Sequence, residues 1–229
     1  MVNKIGILGG ISHESTIKYY DMILEKYYEK FQNYHYPEIV IYSLDFQKLT
    51  DLENSNEKEK YIEYLMSGIN SLEKAGVNFI IMAANSPHAV FEDLERLTKI
   101  PILSIVKSTA EKAKQENIKK LLLLGIKFTM QSNYYQQYFK KSGIEVITPS
   151  IEEQNKIEKI IFNELVIGLF KKESKNELLQ IIKNYEYVDG VVLGCTELPL
   201  ILTQRDTEIK LLDTLELHVD ATLDFYFKL

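Results

Sequence analysis

Thiols are nearly absent from this chain of 229 residues: Cys195 is its single cysteine. One thiol excludes an intrachain disulfide and any metal site built from several thiolates. Such sparing use fits a reducing cytoplasm, the compartment expected for this protein. The four histidines, His13, His35, His88 and His218, fall at no spacing that suggests a metal site, so no metal is expected. Positive charge is also in short supply. Lys and Arg number 27 against 33 Asp and Glu, a net charge of −6, which argues against the basic footprint that nucleic acid demands. No apolar run approaches the roughly 20 residues of a membrane helix. The first apolar stretch, Ile5 to Leu8, ends in Gly9-Gly10 and reads as a strand meeting a turn, not as a signal peptide. Neither nucleic acid nor membrane is therefore expected as a partner.

What is present is an ordinary globular composition, 45% apolar and 26% charged, in a chain long enough to bury a core as one domain or two. Short apolar runs alternate with stretches of helical period, the pattern of parallel sheet with helices on both faces. Strands are expected at Lys4–Leu8, Ile39–Leu44, Asn78–Met82, Ile102–Ser104, Lys120–Leu124, Glu145–Thr148, Gly190–Leu193 and Lys210–Leu212. Helices are expected near Thr16–Phe31, Glu57–Ala75, Lys107–Glu116, Met130–Lys141, Ile151–Phe170, Asn176–Tyr185 and Thr214–Phe227. Ser12 is a candidate N-cap, Ser150 with Glu153 forms a capping box, and Gly76 and Gly143 sit where helices should stop. The polar stretch Asp51–Lys60 reads as a surface loop entering a helix.

The chain also repeats itself. Lys4-Ile-Gly-Ile-Leu-Gly9 is echoed by Lys120-Leu-Leu-Leu-Leu-Gly125. Val77-Asn-Phe-Ile-Ile-Met-Ala-Ala-Asn85 is echoed, at a similar offset, by Val188-Asp-Gly-Val-Val-Leu-Gly-Cys-Thr196. A duplication gives an α/β fold of two pseudo-symmetric Rossmann-like parallel-sheet subdomains, the active site lying in the cleft between them. Residues 1–105 with 209–229 form the first lobe, and 106–208 the second. Ligands bind beyond the carboxyl ends of parallel strands, which places Ala84–Asn85 and Cys195–Thr196 on opposite walls of that cleft. A thiol at such a strand-to-helix junction meets exposed N–H groups and a helix dipole, both favouring thiolate. From a reference pKa of about 8.5, a fall of roughly one unit or more makes a useful base. The alternative for Cys195 is a small buried hydrophobe.

Four segments together carry a family resemblance. Gly194-Cys-Thr-Glu-Leu-Pro-Leu200 resembles the second-cysteine motif of the aspartate/glutamate racemases, and Ile5-Gly-Ile-Leu-Gly-Gly-Ile-Ser-His-Glu-Ser-Thr16 their N-terminal signature. Gly125-Ile-Lys-Phe-Thr-Met130 is similar to their third motif, and Asn85-Ser-Pro-His88 to the segment after their first cysteine. The resemblance implies a homodimeric, cofactor-independent (PLP-independent) racemase acting on a small amino acid or carboxylate. In that chemistry two thiols exchange roles as acid and base at Cα, and donors on the substrate carboxylate stabilise the carbanion. It assigns proton transfer to Cys195 and substrate contacts to Asn85, Ser86, Thr129 and Thr196. Backbone N–H groups of Gly10, Ile11 and Ser12 would close the floor.

The sequence departs from this pattern at two places. Ala84 stands where the family has its first cysteine, and alanine cannot transfer a proton, so a symmetric two-thiol mechanism is excluded. Val166, in Asn163-Glu-Leu-Val-Ile-Gly168, stands where aspartate-specific relatives carry a lysine, which weakens aspartate as substrate. His88 titrates near neutral pH and is one candidate for the second acid/base, although similar histidines follow the first cysteine in two-cysteine relatives. Glu197 is expected to tune the thiol or cap a helix. His13 and Glu14 are expected in loop packing, and the paired tyrosines Tyr27-Tyr28 and Tyr134-Tyr135 in core and interface. Besides a racemase with a nonstandard second group, the sequence allows a single-cysteine decarboxylase-like enzyme or a non-catalytic carboxylate-binding homologue.

Overall fold

The computed structural model describes residues 3–55 and 57–229. It divides into two compact units, Met1–Ile105 with His218–Leu229, and Val106–Leu217.

The first unit runs β1 (Lys4–Gly9), α1 (His13–Phe31), β2 (Glu38–Ser43), α2 (Phe46–Glu53), α3 (Lys58–Lys74), β3 (Phe79–Met82), α4 (Phe91–Leu97) and β4 (Ile102–Leu103). Its four strands are parallel in the order β2-β1-β3-β4. Uninterrupted apolar sequence suits the two central strands, which are buried on both faces. Leu8, Ile80 and Met82 pack with Leu49, Leu65, Ile69 and Leu72 from α2 and α3. Ile5, Ile7, Phe79 and Ile81 alternate with them along the strands and are wholly buried as well, as the two-residue side-chain period requires. Phe79 meets Phe225 edge to face at 5.0 Å. Each such side chain withdrawn from water stabilises the unit by about 1.5–3 kcal/mol.

The second unit holds nearly all of α5 (Ile105–Gln115), then β5 (Lys120–Leu124), α6 (Lys127–Gln131), α7 (Tyr134–Lys140), β6 (Glu145–Ile147), α8 (Ile151–Asn163), α9 (Lys172–Lys183), β7 (Gly190–Leu193) and β8 (Lys210–Asp213). Its strands are again all parallel, ordered β6-β5-β7-β8. The order repeats that of the first sheet strand for strand, so β3 and β7 are topological equivalents. The closing helix α10 (Thr214–Tyr226) begins in the second unit and ends in the first. The boundary falls at 217/218 and not at the expected 208/209, because β8 hydrogen-bonds along β7.

Helix limits differ more from expectation than strand limits do. The helix expected over 130–141 is two, α6 and α7, separated by Asn133 at φ 59°. The one expected over 151–170 ends at Asn163 and passes into a 3-10 turn, Leu165–Ile167, closed by Gly168 at φ 73°. The stretch read as a loop from Asp51 opens with the last turn of α2. The capping expectations hold: the Ser12 hydroxyl accepts from the Ser15 N–H, and Ser150 with Glu153 forms the reciprocal box.

Candidate active site

In both sheets the chain leaves the first-formed strand for a neighbour on one side and returns to a strand on the other. The crevice at such a switch point, beyond the carboxyl ends of the two central strands, is where open parallel sheets take ligands. In the second unit those ends are Gly125 after β5 and Gly194-Cys195-Thr196 after β7.

Here the two strands come close. The Gly194 N–H donates to the Leu124 carbonyl at 2.7 Å. A Cβ on Gly194 would lie 2.8 Å from that carbonyl oxygen, and one on Gly125 would lie 2.9 Å from the Gly194 oxygen. Glycine at both positions is what permits the approach. Cys195 follows, half-buried. Its neighbourhood differs from the expected helix start: the chain continues as one 3-10 turn, Leu198–Leu200, with Pro199 inside it. Three residues supply little of a helix dipole. The thiol instead lies 2.9 Å from Oε2 of Glu197, and the Thr196 hydroxyl donates to the same oxygen at 3.3 Å. Thr196 and Glu197 are both buried. A carboxyl group at this distance is placed to accept the thiol proton and to return it.

Thr129 completes the group. It lies in α6, whose first N–H, from Lys127, donates to Glu158 of α8 at 3.2 Å, while the Lys127 ammonium pairs with the same carboxylate at 3.1 Å. The Thr129 Cβ is 3.3 Å from the Cβ that Gly125 lacks. Its side chain is 1% exposed, and its hydroxyl has no hydrogen-bond partner among the described residues. Buried polar atoms are normally satisfied, and one that is not calls for an explanation such as a ligand.

In the first unit the corresponding strand ends are Gly9-Gly10-Ile11-Ser12 after β1 and Ala83-Ala84-Asn85-Ser86 after β3. Ala84 stands two residues past the end of β3, as Cys195 stands two past the end of β7. Both strand ends continue into a 3-10 turn with an early proline, here Ser86–Val90 with Pro87. Ala84, Asn85 and Ser86 are buried. Gly10 has φ +75°, and a Cβ there would strike the Leu44 backbone at 2.3 Å. Its N–H, expected to face substrate, donates to the Thr16 hydroxyl at 2.9 Å, and that hydroxyl donates to the Ser12 carbonyl at 2.8 Å. Gly10 therefore braces the turn, and Ile11 and Ser12 are buried within it.

His88 is held through one ring nitrogen, while its buried Nδ1 has no hydrogen-bond partner among the described residues. Its Nε2 accepts from the Ile105 N–H at 3.1 Å, and its ring stacks on Phe91 at 5.4 Å. Burial, with the neighbouring His218 ring adding to it, pushes its pKa down to about 3. Such a neutral, packed imidazole ties the 3-10 turn to the start of α5. His13 pairs with Glu14 on the surface, and Val166 lies in the 3-10 turn after α8. One group that sequence reasoning missed stands behind Ser86: Glu53, buried at the end of α2 and bonded to the Tyr61 hydroxyl at 2.9 Å. Among the described residues no cluster of three or more His, Cys, Asp or Glu could hold a metal. No helix among them is long and apolar enough to cross a membrane.

Twin parallel four-stranded sheets with flanking helices, one sheet ending in a thiol hydrogen-bonded to a carboxyl group, define an α/β fold of two like units. The Asp/Glu/hydantoin racemase family profile matches residues 8–222, and the chain belongs to that family. It is 27% identical over 230 aligned positions to the broad specificity amino-acid racemase RacX of Bacillus subtilis (strain 168), covering 97% of each protein. Among solved structures it is similar to an aspartate racemase homologue from Pyrococcus horikoshii OT3, at 37% identity and a TM-score of 0.85, covering 99% of this chain and 100% of that one. It also shares the fold of the Picrophilus torridus aspartate racemase, with a TM-score of 0.81 at 22% identity over 98% of this chain and 94% of that one.

Proposed function

We propose that the protein racemises or epimerises amino acids at Cα without a cofactor, with Cys195 as a proton-transfer group. The observation that carries this reading is the contact of the thiol with Glu197, at the carboxyl end of a central parallel strand. Glu197 takes the proton from sulfur, and the thiolate removes the Cα proton of the substrate. The electron pair left on carbon spreads into the substrate carboxylate. Hydroxyl donors on that carboxylate, assigned to Thr129 and to a Thr196 that turns its proton from Glu197 to substrate, stabilise the charge where it develops. The unsatisfied Thr129 hydroxyl supports this assignment. Ile11, Ser12, Asn85 and Ser86 are read as further substrate contacts on the strength of the family resemblance.

Ala84 is read as the position of a lost first thiol, supported by its topological equivalence to Cys195. Return of a proton to the opposite face of Cα therefore needs another group. Val166 offers no charge for a substrate side-chain carboxylate, which favours an amino acid other than aspartate. A homodimer belongs to the same reading. Ile17 and Tyr20 of α1 and Ile41 and Tyr42 of β2 leave apolar surface exposed on the first unit that a second copy could cover.

The test is chiral chromatography of a panel of L- and D-amino acids after incubation with the protein. At least one pair should interconvert, and Cys195→Ser should slow that conversion by about 10²-fold or more, since a hydroxyl is a far poorer base. A serine variant as fast as the parent protein contradicts the assignment.

A further inference from the structure

The second unit carries Thr129 on a helix too short to hold itself. α6 has five residues, and so short a helix is not stable alone in water. Its first N–H groups lack intrahelical acceptors, and Ile126 at the N-cap offers no side chain to receive one. Both ends are held instead by α8. At the start, the Lys127 N–H donates to Oε1 of Glu158 at 3.2 Å, and the Lys127 ammonium meets Oε2 at 3.1 Å. At the end, Nε2 of Gln131 donates to Oε1 of Gln154 at 2.9 Å. Gln154 is buried and fixed in turn, its amide donating to the Pro149 carbonyl at 2.8 Å.

The spacings of the two anchors match. Lys127 and Gln131 are four residues apart, as are Gln154 and Glu158, and residues four apart share one face of a helix. One turn of α6 therefore lies along one turn of α8, antiparallel to it. Thr129 falls between the anchors and makes its contacts on the strand side. Its Cβ is 3.3 Å from the Cβ that Gly125 lacks, and its Cγ2 is 3.6 Å from the one that Gly194 lacks. α6 is thus held between α8 and the carboxyl ends of β5 and β7, and the Thr129 hydroxyl has no partner among the described residues. Stability alone gives little reason for the Lys127–Glu158 pair, because it is partly exposed and such pairs contribute little.

Resting on the racemase reading, we propose that Glu158 is a positioning residue of the reaction: it sets the register of α6 on α8, and so the place of the Thr129 hydroxyl at the strand end that bears Cys195. Glu158 touches no substrate and moves no proton. It acts by accepting the Lys127 N–H, which orients the first turn of α6, while the ammonium of the same residue holds the carboxylate in place. The Thr129 hydroxyl donates to the substrate carboxylate most strongly as the carbanion forms. A displaced α6 therefore costs the transition state more than the bound substrate. Misplacement by about 1 Å, even from a residue distant from the chemistry, costs up to about 10²-fold in rate. Loss of Glu158 should accordingly appear in kcat and leave KM nearly unchanged.

A double-mutant cycle reads the coupling. The parent protein, Glu158→Ala, Thr129→Val and the doubly substituted protein are compared on an amino acid that the parent racemises, with kcat and KM from chiral chromatography. Glu158→Ala should lower kcat by about 10-fold or more with KM within about twofold, and lower the melting temperature by a few degrees at most. In the Thr129→Val background the same substitution should have little further effect, because the hydroxyl it positions is gone. Glu158→Gln, whose amide oxygen still accepts the Lys127 N–H, should recover most of the lost rate. Additive losses, a glutamine variant as slow as the alanine one, or a Glu158→Ala protein as fast as the parent each overturn the proposal. Amide exchange in D₂O, followed by NMR, gives a readout independent of turnover. The N–H groups of Met130 and Ser132 donate to the Ile126 and Phe128 carbonyls at 3.0 and 3.1 Å. They should exchange about 10-fold faster in Glu158→Ala, and unchanged protection overturns the proposal as well. A parent protein that racemises nothing overturns the racemase reading instead, and the amide exchange still decides whether Glu158 holds α6.

Discussion

A buried hydroxyl left without a partner costs about 1–3 kcal/mol, and Thr129, at 1% exposure, carries a hydroxyl with no partner among the described residues. If its role is to bind substrate, Thr129→Val should leave the melting temperature unchanged or higher. The same change should cut kcat/KM by roughly 10- to 100-fold, the worth of one hydrogen bond to a charged group. Equal kcat/KM in the variant removes Thr129 from the site. His218 offers a test of a different kind. Its Nδ1 meets the Tyr19 hydroxyl at 2.9 Å and its Nε2 the Leu103 carbonyl at 3.2 Å. Burial lowers its pKa to about 4, as burial and the His218 ring lower that of His88 to about 3. The unfolded chain binds protons at these histidines below about pH 6.5, while the folded chain resists until far lower pH. Stability is therefore full above pH 6.5 and declines as pH falls toward 4, by about 1.4 kcal/mol per pH unit per histidine. Glu53, whose pKa is raised, works in the opposite sense and offsets part of the slope. Melting temperature measured from pH 7 to 4.5 should fall, and His218→Gln should flatten that fall by roughly half. An unaltered slope contradicts the neutral buried pair. Motif and repeat mark Cys195, Thr129 and Ala84 in the sequence as candidate site positions. Neither marks the buried Glu53, because its two partners lie 8 and 33 residues away and only the folded backbone brings them together.

At the scale of elements, the strands were legible to within a residue or two. β1, β3, β5 and β7 are uninterrupted apolar runs, and burial on both faces gives such runs a single solution. The helices were less so. Asn133 breaks α6 from α7 by adopting φ 59°, a conformation asparagine tolerates and a periodicity count does not register. The two helices α2 and α4, of 8 and 7 residues, are too short to give a clear period. The β1–α1 turn is the element on which the first unit's strand end depends. Gly10 combines φ +75° with a Leu44 backbone that leaves no space for a Cβ, and its N–H anchors Thr16 at the start of α1. Gly10→Ala should lower unfolding stability by about 1–3 kcal/mol or more, read from a urea melt. A melt that matches the parent contradicts the braced turn.

Over the whole molecule, the repeated strand order is the feature most directly written in the sequence. Segments some 110 residues apart became β1 and β5, β3 and β7, in identical sheet positions. The 217/218 boundary was not written there, because it depends on hydrogen bonds between β7 and β8 and not on composition. Duplication makes residues 84 and 195 equivalent positions, one bearing a methyl group and the other a thiol. The central claim is that the thiol moves the Cα proton. The measurement that reaches it most directly is the rate of deuterium entry at Cα, followed by NMR in D₂O for a panel of amino acids, with the parent protein and with Cys195→Ser side by side. Deuterium should enter at least one amino acid with the parent and cease to enter with the serine variant. Equal incorporation by the two proteins, or none by the parent across the panel, would contradict it.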